Sequence, residues 1–254
     1  MTKNCLNCTS EIQGQFCSNC GQNTETHKIN LHYLVHGIQH GLLHFDNGIL
    51  FTAKELFTRP GNSIREFLNG KRVNHFKPLS LVIILSGIYA LISHFFHFDL
   101  LSNNYEIKVS GNEAAAFTNS ANELREWISH HYYVLVLIQI PVFSIGTYTM
   151  FKDEGFNYIE HLVINSFITG QKLILLITTF PIIYWLNKTN YSTPFEQFID
   201  GIGYVLAFLT IFQLFNGFKL LSRIWKTVLS LLIPLFIFTI LFFIILAVFI
   251  YYLK

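Results

Sequence analysis

Residues 226–253 read KTVLSLLIPLFIFTILFFIILAVFIYYL. A helix needs about 20 mostly apolar residues to cross the hydrocarbon core of a bilayer, and this run exceeds that length. Four further stretches have the same character: Pro78 to Phe98, His131 to Phe151, His161 to Leu186 and Gly201 to Leu221. Counted along the chain, the third span contains Lys172 and the fourth carries Gln213 and Asn216, so hydropathy marks these two less strongly. The pattern predicts an all-α polytopic membrane protein of about five transmembrane helices.

Composition agrees. The 254 residues are 52% hydrophobic and only 13% charged, where soluble domains run near a quarter charged. A net charge of +2 and the lack of basic runs interleaved with aromatics give no reason to expect a nucleic-acid partner. The expected partner is the lipid bilayer. The polar start, MTKNCLNCTSEIQGQFCSNCG, has no apolar core, so no cleavable signal peptide is expected and the spans themselves would drive insertion.

Basic residues predict the orientation. Lys3, Lys28, Lys54, Arg59, Arg65, Lys71, Arg72 and Lys77 precede the first span. The loop from Asp99 to His130 sets Lys108 and Arg125 against Asp99, Glu106, Glu113, Glu123 and Glu126, and Lys219, Arg223 and Lys226 follow the fourth span. Positive charge stays inside, which puts the N-terminus in the cytoplasm.

Three regions follow: a Cys-rich knob at 1–23, an amphipathic stretch at 24–76 and the transmembrane bundle at 77–254. In the knob, Cys5 and Cys8 are separated by two residues, as are Cys17 and Cys20, with Gly21 after the second pair. That spacing lets both thiolates of a knuckle reach one metal, and the glycine permits the turn. Two such knuckles make a closed, tetrahedral, structural site, so the expectation is a small zinc ribbon holding one structural Zn2+. An iron–sulfur ligand set or a redox pair are the competing readings. About twenty residues build no core, so the metal would supply the folding free energy. Reduced thiols also suit the cytoplasm.

The stretch GILFTAKELFTRPGNSIREFLNGKRVNHFKPLSL (48–81) predicts two short amphipathic helices around Arg59, Pro60 and Gly61. Ile49, Leu50, Ala53, Leu56 and Phe57 form the apolar face of the first; Ile64, Phe67 and Leu68 form that of the second. Ser63 is the candidate N-cap and Gly70 the terminator. Such elements lie in the membrane interface, with Arg59, Arg65, Lys71, Arg72 and Lys77 as candidate headgroup contacts. FCSNCGQ, then Asp46-x-Gly48, Thr52 and the run RPGNSIREFLNGKRVNHFKPLS, followed by apolar spans, resembles the bacterial integral-membrane family catalogued as domain of unknown function 3667. The resemblance runs over the chain and is most specific between Gly48 and Ser80. It implies a bacterial inner-membrane protein with a zinc-ribbon-like head, and supplies no activity.

Two histidine and polar patterns remain. His32, His36, His40 and His44 are four apart and share one broad helical face. That face suits an interfacial or packing helix, a second metal site or a pH-sensing surface. Within the third span, His161, Asn165, Thr169 and Lys172 form a polar stripe that either bonds helices together or lines a solute pathway. Gln139, Gln213 and Asn216 are candidates to line the same interior. No catalytic motif or paired-carboxylate arrangement stands out, so no enzymatic role is expected. The leading expectation is a non-enzymatic adaptor or assembly factor whose head docks a cytoplasmic protein. The alternative is a transporter or channel component for a small or lipidic solute. Self-association as a homo-oligomer is left open.

Overall fold

The computed structural model describes residues 3–12, 14–24, 26, 28–35, 37, 48–96, 131–187 and 189–252. In chain order these form an antiparallel hairpin of β1 (Lys3–Asn4) and β2 (Glu11–Ile12), then α1 (Gly48–Thr58), α2 (Pro60–Leu68), α3 (Pro78–Phe95), α4 (Tyr132–Phe151), α5 (Tyr158–Leu186), α6 (Ser192–Leu214) and α7 (Leu220–Tyr252). A 3-10 turn, Lys152–Glu154, extends α4. Helices α3 to α7 are each long and apolar enough to cross a membrane, giving the five spans expected. α5 packs against α3, α4 and α6, while α7 lies along α4.

The span limits differ from those hydropathy predicts. The fourth span begins at Ser192 rather than Gly201 and ends at Leu214 rather than Leu221. Glu196 and Asp200 lower the hydropathy of its first turns, yet the backbone stays helical through both. The third span begins at Tyr158, where Asn157 accepts a bond from the Glu160 amide at 2.9 Å and Glu160 accepts one from the Asn157 amide at 2.8 Å. This reciprocal capping box satisfies two donors that a helix start leaves open.

α1 and α2 meet almost end to end at Arg59. Pro60 opens α2 at a position where its missing N–H costs nothing, and Gly70, at φ +107, ends the segment as predicted. Ser63 does not cap: α2 starts three residues earlier, and the Ser63 hydroxyl instead meets His75 Nε2 at 2.7 Å. The faces of α1 are also placed differently from the apolar stripe. Thr52, Glu55 and Leu56 are its buried residues, whereas Leu50 and Phe57 point outward. Thr52 Oγ1 accepts the Phe76 amide at 2.7 Å, so a polar side chain joins Leu56 in holding α1 to the protein, and Leu50 and Phe57 are left for lipid.

Aromatic packing joins these elements into one core. Phe67 of α2 meets Phe167 of α5 edge to face at 5.1 Å, and Phe151 of α4 stacks on Phe215 at 4.0 Å. A close backbone approach is at Gly61, where an added Cβ would collide with Gln213 and the Leu214 backbone. Gly61→Ala should therefore force α2 off α6 and cost about 1–3 kcal/mol, read as a lower melting temperature in detergent. Gly201→Ala, with open space around its Cβ, should not lower it.

Candidate metal centre and intramembrane polar network

The knob is two turns facing each other. Cys5 accepts a bond from the Thr9 amide, and Cys17 accepts one from the Gly21 amide, at 2.9 and 2.8 Å. Thr9 (φ 63) and Gly21 (φ 73) each follow the second cysteine of a pair and share the left-handed conformation. The sequence shows this need only at Gly21; Thr9 meets it with strain. The result brings all four sulfurs within 4.8 Å of one another. Cys5 and Cys20 lie 3.6 Å apart and Cys8 and Cys17 lie 3.5 Å apart, too far for a disulfide bond at about 2.05 Å. Four sulfurs bound tetrahedrally at about 2.3 Å would stand about 3.8 Å from one another, so the donors fit a metal ion. The Ser10 hydroxyl, 3.4 Å from Cys8 Sγ, helps hold that thiol down at about 6, whereas Cys20 is raised to about 11, so of these two Cys8 is the readier to supply the thiolate a metal needs. Among the described residues, no other group of histidine, cysteine or acidic side chains is close enough to hold a metal.

The knob is fixed to the helices behind it. Gln22 is buried; its Nε2 donates to the Gly70 carbonyl at 2.8 Å, and its Oε1 accepts the Arg72 amide at 3.2 Å. Phe16 of the knob is 61% exposed. Of the histidine ladder, His32 is described, whereas His36, His40 and His44 lie outside the described residues.

The candidate headgroup contacts gather beside the knob. Arg59 bonds Glu66 at 2.9 Å and Glu55 at 2.6 Å, and the bond from Arg59 holds the Glu66 carboxyl below its ordinary range. Arg65 donates to the Leu214 carbonyl and pairs with Glu154 at 3.1 Å. Arg72 donates to the Phe67 carbonyl and lies 4.9 Å from the Tyr33 ring. Lys71 sits 3.7 Å from Glu66, and Lys77 precedes α3. Three guanidiniums thus fasten protein to protein.

The polar stripe of α5 divides in two. His161 and Asn165 are buried: His161 Nδ1 lies 3.1 Å from Thr147 Oγ1, and Asn165 Nδ2 donates to that oxygen at 2.9 Å. Ser144 of α4 donates to the His161 carbonyl at 3.1 Å. This half joins α4 to α5. Thr169, also buried, and Lys172 line a cavity that Asn165 reaches too, with Gln139 as expected. Gln213 does not line it; its carbonyl oxygen accepts the Gly61 amide at 3.3 Å, and Asn216 is exposed in the turn after α6. Lys172 Nζ lies 3.1 Å from Asp200 on α6. The sequence reading missed Asp200, because it excluded that residue from the span. It also missed Gln171, which is buried, donates to the Leu56 carbonyl and accepts from Thr210 at 3.3 Å.

Fold and site together define a multi-pass α-helical membrane protein with a four-cysteine head fit for a metal ion. The model of a family described as "Protein of unknown function (DUF3667)" matches residues 46–90. The match confirms the family resemblance over α1, α2 and most of α3, and leaves the knob and the later spans outside it. No curated protein and no solved structure matches the chain.

Two outcomes are expected. Purified protein should carry about one metal ion per chain by elemental analysis, and Cys17→Ser should lose it and weaken the knob. The second concerns His75, held in an aromatic setting of Phe51 at 5.1 Å and Phe67 at 5.7 Å. Burial pushes its pKa below the ordinary 6.5. The unfolded chain then binds this proton first, so stability rises with pH across the window between the lowered value and 6.5. Acidifying below that window's upper edge should lower the melting temperature, and His75→Gln should flatten the decline.

Proposed function

We propose that this chain is a non-enzymatic membrane adaptor or assembly factor whose metal-bound head docks a cytoplasmic protein. The observation that carries the reading is the Gln22 clamp to Gly70 and Arg72. It makes the head a platform held in register with the bundle, with Phe16 exposed on it. A swinging tether would need no such clamp. The metal is Zn2+, for which a closed tetrahedral thiolate set is suited.

The membrane is the inner membrane of a bacterium, and the N-terminus faces the cytoplasm. Supporting this, Lys28 bonds the Gly155 carbonyl at 3.3 Å, Arg65 bonds Leu214, and Lys226 pairs with Asp153 at 3.3 Å. The basic residues before the first span and those around the later turns therefore share one end of the bundle, as the positive-inside rule requires. The surface bases, Lys71 foremost, are available to anionic headgroups there.

A second reading, a component that moves a small or lipidic solute, is favoured by one observation: Lys172 and Asp200 face each other between spans, beside a cavity of about 430 Å³.

The adaptor reading is tested by crosslinking in native membranes. The paired change Cys5→Ser and Cys17→Ser should remove the partner. Phe16→Asp, which leaves the metal in place, should remove the same one. If both variants keep the wild-type set of crosslinked proteins, the adaptor reading is dead.

A further inference from the structure

Two cavities lie between α4, α5, α6 and α7, and both are lined by Gln139 and Lys172. The smaller, about 70 Å³, reaches Asn165 and Thr169. The larger, about 430 Å³, extends toward the end of the bundle opposite the knob, past Tyr132, Glu196 and Asp200. Its size falls within the range of about 300–1,000 Å³ typical of small-molecule sites.

The charges lining it do not balance. Lys172 is the single cation among the described lining residues, and it is engaged by Asp200 at 3.1 Å, with the Tyr204 ring 5.4 Å away. Glu196 stands one helical turn before Asp200 on the same face of α6. Its Oε1 is buried and has no hydrogen-bond partner among the described residues. A carboxylate within a span and without a cation among the described residues is costly and points to a functional position. The other walls are apolar: Leu135, Ile138, Leu176 and Phe238. Tyr132 adds an aromatic ring to the same wall, and aromatic faces attract cations.

We propose that this cavity is a binding site for a lipophilic organic monocation, with Glu196 as its counter-ion and the apolar walls holding its body. The chemistry argues against an anion, which would meet two carboxylates and one occupied lysine. It also argues against a small hydrated metal ion, for which an apolar cavity of this size supplies too few oxygen ligands. The inference stands apart from the adaptor reading. It rests on the solute-pathway reading only in treating the cavity as a ligand site, and it narrows the ligand to one class.

The test uses the full chain, purified in an uncharged detergent, and equilibrium binding of radiolabelled tetraphenylphosphonium. Tetraphenylborate, an anion of the same shape, is the control. Saturable binding of about one cation per chain is expected, weakened about tenfold by Glu196→Gln, a change equal to about 1.4 kcal/mol. Lys172→Met removes a like charge and releases Asp200, so it should tighten binding about threefold or more, by the same arithmetic. Binding that does not saturate, a preference for tetraphenylborate, or an affinity unmoved by Glu196→Gln would overturn the proposal. Should Glu196→Gln fail to fold, Lys172→Met decides alone, because weakened or unchanged affinity there overturns it too. Flux of the same cation in proteoliposomes is read separately: saturable binding with no flux keeps this site and removes the pathway reading.

Discussion

The Leu214 carbonyl ends α6 at the knob end of the bundle, where a helix leaves its last carbonyls without partners. Arg65 of α2 donates to it and pairs with Glu154 beyond α4. Gly61 lets the two helices close to backbone contact so that this bond forms. One guanidinium therefore holds α2, the end of α6 and the end of α4 in a single arrangement. The knob inherits that arrangement through Gly70 and Arg72, since both bond Gln22. The position of the metal site relative to the membrane is thus set by how a helix terminus is satisfied.

Inside the bundle the same logic fixes which helices pair. Leucine packs against leucine hardly better than against a lipid tail, so apolar surface alone does not choose a partner for a span. Asn165 and Thr147 choose α4 for α5, Thr210 and Gln171 choose α6 for α5, and Gln171 with Leu56 seats α1 on the same helix. α5 carries the polar side chain in each of these pairs. That explains why the run at the centre is one of the two weakest of the five.

What could be read from the sequence follows from how local each signal is. The number of spans and the cysteine pairs depend on residues adjacent in the chain, and five spans and a four-cysteine cluster are found. The start of α6 depends on Glu196 and Asp200 being tolerated, which Lys172 on another helix helps to arrange. Hydropathy sees Asp200 without its partner and so begins the span too late. The face of α1 differs for a similar reason: of the stripe Ile49, Leu50, Ala53, Leu56 and Phe57, Leu56 is buried while Leu50 and Phe57 are exposed, because the bond from the Phe76 amide to Thr52 rotates part of the stripe outward. The polar stripe on α5 was visible as a stripe. Its division into a bonded half and an open half rests on Thr147 and Ser144 of α4, which no periodicity in α5 can show.

The two ends of that stripe answer different demands. At the knob end, His161 and Asn165 bond Thr147 and Ser144, though His161 Nε2 and Arg223 Nε have no hydrogen-bond partner among the described residues, and Arg59, Arg65 and Lys226 each face an acid. Charges placed for stability are expected to close in this way, because an unmatched one lowers the stability it was placed to raise. At the other end, Lys172 meets Asp200 while Glu196 Oε1 has no partner among the described residues beside an apolar cavity. A bundle that needed only cohesion would gain by replacing Glu196 with glutamine or leucine. Its presence in the first turns of a span is what the proposed cation site accounts for, at the end of the bundle away from the four cysteines.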